Sequence, residues 1–133
     1  RACSLMFRGV FDRFPKLRVA FMEAGCSWAP YWFGHMNEEW EKRGEVEAPM
    51  CKRKPTEYLK DGRIYFHAED YEPMIGATTE VLTHKVIYYA SDYPHWDTEF
   101  PENIQHLSRR KDLNDEAKKW LFADTAKKLY NLS

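Results

Sequence analysis

Three stretches of the chain are apolar with little alternation: LRVAFMEAG at 17–25, RIYFHA at 63–68 and KVIYYA at 85–90. Short runs of that kind suit strands buried on both faces, as in a parallel sheet. Between them, apolar residues fall at helical spacing. Trp32, Met36 and Trp40 recur every fourth residue within a helix predicted over 28–43, with Ser27 as its cap, Pro30 in its first turn and Gly44 at its end. The end of a helix is predicted over 3–14, broken by Pro15, and a short helical turn over 56–59. A weaker helix is predicted over 73–83 and another over 102–109. The last is predicted over 115–131, with Asn114 as cap, Asp115 and Glu116 in the first turn and Lys127 and Lys128 in the last, as the helix dipole favours. The order α-β-α-β-α-β-α argues for a parallel sheet with right-handed crossovers. Both a doubly wound sheet and a (β/α)8 barrel fit it.

Composition narrows the class. The chain has 133 residues, 44% hydrophobic and 16% aromatic, enough for one domain with a sizeable core. A net charge of −1 argues against nucleic acid or an anionic membrane as partner. The basic clusters at Lys52–Lys54, Arg109–Lys111 and Lys127–Lys128 have acidic neighbours and read as solvated faces. No apolar run approaches the roughly 20 residues of a membrane span, and no signal peptide is evident. Cys3, Cys26 and Cys51 are odd in number and form no C-x-x-C pair, so a reduced, cytoplasmic protein is expected.

In either architecture, functional groups gather at the carboxyl ends of the strands. The first strand leads into Glu23, Cys26 and Trp28, the second into His67, Glu69 and Asp70, and the third into Asp92, His95 and Asp97. Asp92 can bind a divalent cation or handle a proton, or the Ser-Asp-Tyr-Pro sequence can form an ordinary Asx-type turn. His95 can donate to Asp92 or to substrate, or simply pair with Asp97. His67 is either a ligand or a hydrogen-bonded strand-end histidine. Glu23 is costly if buried without a partner, so it either orients a substrate or anchors a loop. His84 and His106 are expected on the surface, away from the strand ends, and His35 reads as structural. No G-x-G-x-x-G, G-x-x-x-x-G-K-[ST], H-E-x-x-H or G-x-S-x-G motif occurs, which removes most nucleotide-binding readings.

Four blocks in order, FMEAGCSWAPYW, KRKPTEYLKDGRIYFHAED, VIYYASDYPHWD and LFADTAKKLYNL, resemble the C-terminal part of the amidohydrolase-2 family. These are metal-dependent TIM-barrel enzymes related to aminocarboxymuconate-semialdehyde and γ-resorcylate decarboxylases. The resemblance spans nearly the whole chain, and S-D-Y-P-H is its most specific element. It implies a partial (β/α)8 barrel: about the last three βα units, strands six to eight, with a C-terminal helix. Residues 1–133 would then be the C-terminal portion of a single barrel domain, since a full barrel takes about 250 residues.

By the same resemblance Asp92 is the metal ligand and a catalytic residue, with Glu23 and His95 positioning substrate. Trp28, His67 and Trp96 would face a small-molecule substrate, and the expected cofactor is a divalent metal, zinc. The family's H-x-H pair after strand one is absent, since no two of the five histidines are separated by one residue. The histidine after strand five is also missing. Glu23 stands where some decarboxylases have a catalytic histidine, which points towards another branch. The implied reaction is hydrolysis of a C–N or C–O bond, or non-oxidative decarboxylation. The competing reading is a non-catalytic piece whose open sheet edges pair with another copy, as a homo-oligomer, or with a missing N-terminal part. A small doubly wound binding domain is a third, disfavoured by the lack of a phosphate-cradling loop.

Overall fold

The computed structural model describes residues 1–132. Its centre is a parallel three-stranded sheet of β1 (Val19–Phe21), β2 (Ile64–His67) and β3 (Ile87–Tyr88), in the order β1-β2-β3. Val19 pairs with Ile64 and Phe21 with Phe66 on one side, and Phe66 with Ile87 and His67 with Tyr88 on the other. All four residues of the central strand β2 are buried, as its unbroken apolar run requires.

The strands are shorter than the apolar runs, because regular pairing ends where the chain turns into its loops. β1 stops before Glu23 and Gly25, both at positive φ. The first half of KVIYYA is a 3-10 turn over His84–Val86, entered through Thr83 at φ 109. At the far end of that run, Tyr89 N–H leaves the sheet and donates to Leu121 O at 2.8 Å.

α1 (Ala2–Phe7) and α2 (Val10–Arg13) replace the single helix expected over 3–14. Gly9 divides them at φ 62, and a Cβ there would lie 2.3 Å from Met50 O, so the close approach of a distant loop sets the break. α3 (Ala29–Glu47) runs past Gly44, which is buried against the Trp40 indole inside the helix rather than ending it. α4 (Pro55–Lys60), α5 (Ile75–Leu82) and α6 (Glu102–Ser108) fall where helices were expected.

α7 (Asp115–Lys119) begins with Asn114 Oδ1 accepting from Ala117 N–H at 2.8 Å, the predicted cap. It passes through a π-turn at Trp120–Asp124 into α8 (Thr125–Tyr130). The π-turn sits where Leu121 O receives Tyr89 N–H beside β3, and Arg18, just before β1, donates to Lys128 O and Leu129 O. The last helical stretch therefore ties both edges of the sheet together.

On the other side an aromatic cluster fills the core. Phe21 stacks on Phe66 at 5.7 Å, and Trp28 meets both rings edge-on at 5.5 Å. Phe33 from α3 closes it at 5.8 Å from Phe66. Among the described residues, no helix is long and apolar enough to cross a membrane.

Candidate functional site at the carboxyl ends of the strands

The loops leaving the three strands meet around a cleft of about 410 Å³. Six carboxylates line it, Glu23, Glu69, Asp70, Asp92, Asp97 and Glu99, together with His67 and His95, and no Lys or Arg does. Like charges so close repel unless protons or cations intervene.

His67 is the floor. It ends β2, its side chain is 3% exposed, and its Nε2 lies 3.1 Å from Ala90 O. With Nε2–H donating there, Nδ1 is left to accept from Glu23 N–H at 3.4 Å. Glu69 Oε1 stands 3.1 Å from the same Nδ1. Burial pushes the Glu69 carboxyl above its ordinary range; His67 opposes the rise and Glu72, Asp70 and Asp92 add to it.

Asp92 sits where the third strand's loop begins, at φ 54. A non-glycine residue held in that left-handed region costs about 1 kcal/mol, and Glu23 across the cleft is held the same way at φ 50. The loop is a turn of the Asx type, but Ser91 and not Asp92 supplies its side-chain acceptor. His95 N–H donates to the Asp92 backbone carbonyl at 2.8 Å, and Tyr93 N–H donates to Ser91 Oγ at 3.3 Å. The Asp92 carboxylate is left free of the turn and faces His95 Nδ1 at 3.5 Å. That imidazole also contacts Asp97, which raises His95 above its ordinary pKa and lowers Asp97. The side-chain donors of Asp92, His95 and Asp97 all lie within 4.8 Å of one another, a spacing that fits one divalent cation.

A second group of the same composition, Asp70, Glu99 and His106, lies at the same rim. His106 Nδ1 is 2.7 Å from Asp70 Oδ2 and 3.8 Å from Glu99. His106 is therefore not remote from the strand ends, as its position in the chain suggested. The sequence carries little signal for it, since residues 89–101 separate β3 from α6.

Of the residues expected to face substrate, Glu23, His67, Asp92 and His95 are brought together and the two tryptophans are not. Trp28 packs among Phe21, Phe33 and Phe66, and its Nε1–H donates to Gly25 O at 2.9 Å, so it is half-buried against the core. Trp96 is 87% exposed and touches the site only through His95, at 6.1 Å between rings.

Residues 1–132 match the family model for Amidohydrolase. This chain belongs to the amidohydrolase-2 family. Its members are metal-dependent decarboxylases and hydrolases. A 2-amino-3-carboxymuconate-6-semialdehyde decarboxylase from Dictyostelium discoideum is 28% identical over 92 residues, which is 69% of this chain and 25% of that protein. The fold is similar to that of 5-carboxyvanillate decarboxylase LigW from Sphingomonas paucimobilis, with TM-score 0.78 and 21% identity over 99% of this chain and 39% of that one. It is also similar to a dihydroxybenzoic acid decarboxylase from Polaromonas sp. JS666, solved with bound manganese and 2-nitroresorcinol. There the TM-score is 0.73 and the identity 18%, over 98% of this chain and 39% of that one. The chain thus spans between a quarter and two-fifths of the length of these relatives.

Proposed function

We propose that this chain supplies one wall of the active site of an amidohydrolase-2 enzyme acting on a small carboxylic acid, with non-oxidative decarboxylation the favoured reaction and hydrolysis of a C–N or C–O bond the alternative. The observation that carries this reading is the cleft itself, where six carboxylates and two imidazoles meet without a lysine or arginine. Such a site calls for a cation. Asp92 would hold it, with His95 and Asp97 beside it, and zinc is our choice of metal, with manganese the competitor. Once bound, that cation would polarise a substrate oxygen and neutralise charge.

Decarboxylation replaces a carboxyl group with a proton, so the site needs groups that deliver one. Asp92 would take and return the proton at its free carboxylate, its position set by the turn beneath it. Glu23, on the opposite loop, would orient the substrate, and His67 would support that loop from below through Glu23 N–H. The three strands correspond to strands six to eight in this reading, with residues 1–133 the C-terminal portion of the barrel and a cytoplasmic location. The experiment is the metal content per chain after chelator-free purification, beside Asp92→Asn, followed by carboxylic-acid turnover in the longer parent protein. Bound metal lost in the variant is expected. Equal metal in both would remove Asp92 from the site.

One observation supports an assembly role beside the enzymatic one. β1 is an edge strand, and next to it Val10, Phe14, Pro15 and Leu17 line an apolar hollow of about 650 Å³. Pairing there with the rest of the barrel or with a second copy would cover both. Light scattering at micromolar concentration tests this, and a well-behaved monomer would count against it.

A further inference from the structure

Glu72, in the loop between β2 and α5, is 6% exposed, and among the described residues no lysine or arginine side chain pairs with its carboxylate. Backbone amides surround it instead. Oε1 accepts from Cys26 N–H at 2.9 Å and from Ser27 N–H at 2.8 Å. Oε2 accepts from Cys26 N–H at 3.1 Å and from Glu69 N–H at 2.9 Å. A buried carboxylate is tolerated only when its lone pairs are filled in this way.

Two further features fit the carboxylate to this seat. Gly25 is at φ 63, and a Cβ on it would lie 2.5 Å from Glu72 Oε1. Arg110 grips the same loop from outside, donating to Glu72 O at 2.7 Å and to Pro73 O at 3.3 Å. Ser27, the residue whose side chain was expected to cap α3, contributes only its N–H, and its own buried hydroxyl has no partner.

The amides that Glu72 holds belong to the two loops that reach His67. One carries Glu23, whose N–H points to Nδ1, and the other carries Glu69, whose Oε1 lies beside the same atom. We propose that Glu72 is a positioning residue: it latches the β1–α3 loop to the β2–α5 loop and so sets Glu23 and Glu69 around His67, without itself touching substrate. The enzymatic consequence rests on the function proposed above; the latch does not.

Glu72→Gln keeps the shape but turns an NH2 group towards a backbone N–H, so part of the latch must open. In this chain, amide exchange at Cys26, Ser27 and Glu69 is expected to quicken by at least about tenfold. The His67 Nδ1 resonance should shift, while Tyr65 and Phe66 in β2 exchange as before. Glu72→Asp, which keeps the charge, should recover part of the protection. Unchanged exchange at the three amides would overturn the proposal, as would equal acceleration through β2, which marks a general loss of stability. If Glu72→Gln does not fold, the unaltered chain decides: scalar couplings across the hydrogen bonds from Cys26, Ser27 and Glu69 nitrogens to the Glu72 carboxyl carbon are expected, and their absence defeats the latch. In the parent protein, kcat should fall more than KM rises. A parent inactive even with Glu72 intact would overturn the proposed function while these resonances still judge the latch.

Discussion

The two ends of the sheet are built from opposite charges used in opposite ways. At the amino end, arginines hold backbone. Arg63 donates to the carbonyls of Leu17, Phe11 and Phe14 and lies 5.0 Å over the Phe11 ring, while Arg18 holds the last carbonyls of α8. A larger hollow at that end, about 590 Å³, has lysines and carboxylates mixed, with Lys60, Lys85 and Lys128 beside Glu80 and Asp112. At the carboxyl end, six carboxylates meet with no basic residue but histidine. The amino end mixes charges of both signs, and its arginines tie backbone together and so stabilise the fold. The carboxyl end leaves charge uncompensated, which makes it the end that needs a ligand.

Substitutions that separate the two ends should behave differently, and the largest effect belongs to the carboxyl end. Under the function proposed above, Asp92→Asn should lower turnover of the active enzyme by about 10² to 10⁴-fold, the usual worth of a positioned proton-transfer group. Its urea midpoint should stay near that of the unaltered chain, since the Asp92 carboxylate makes no hydrogen bond within its turn and the backbone bond from His95 N–H is kept. A large stability loss without loss of turnover would reverse the assignment of the two ends.

Arg63→Met should do the opposite. It strands three carbonyls at the amino end, and a loss of about 2 to 3 kcal/mol is expected by urea denaturation. Metal content should not change. Gly9→Ala is the next step down in effect. It forces a Cβ towards Met50 O from a left-handed backbone, costing about 1 to 2 kcal/mol, again by denaturation alone.

The smallest effect is a pH dependence. Arg110 holds Asp112 below the ordinary carboxylate range, and Gly76 N–H donates to the same side chain at 3.1 Å. A depressed folded value adds stability above the unfolded pKa, near 4, and that stability is lost as pH falls through the folded value. Asp112→Asn should therefore flatten the acid limb of the stability curve by up to about 1 kcal/mol, as suits an exposed pair. An unaltered acid limb would show that the pair contributes nothing.

Much of this architecture was legible in the chain because it depends on residues close in sequence. The order of elements, the burial of β2 and the Asn114 cap all follow from local pattern. So does the gathering of Glu23, His67, Asp92 and His95, because parallel strands place every carboxyl end on one side. What local pattern reports is a residue's own element, and that is where it stops. Whether Trp28 turns towards the cleft or the core was decided by Phe21, Phe33 and Phe66, three rings from separate elements.

The same holds for the positions where expectation and structure part. Gly44 reads as a helix end, yet α3 continues because Trp40 packs over it. Ser27 reads as a cap, yet a carboxylate 45 residues further on takes its N–H. The sequence alone determined which elements form and which end of the sheet carries the chemistry, since both are consequences of short-range periodicity and parallel pairing. Only the tertiary structure decided that His106 joins Asp70 and that Glu72 binds two loops into one site, because those contacts depend on where the chain returns after long excursions.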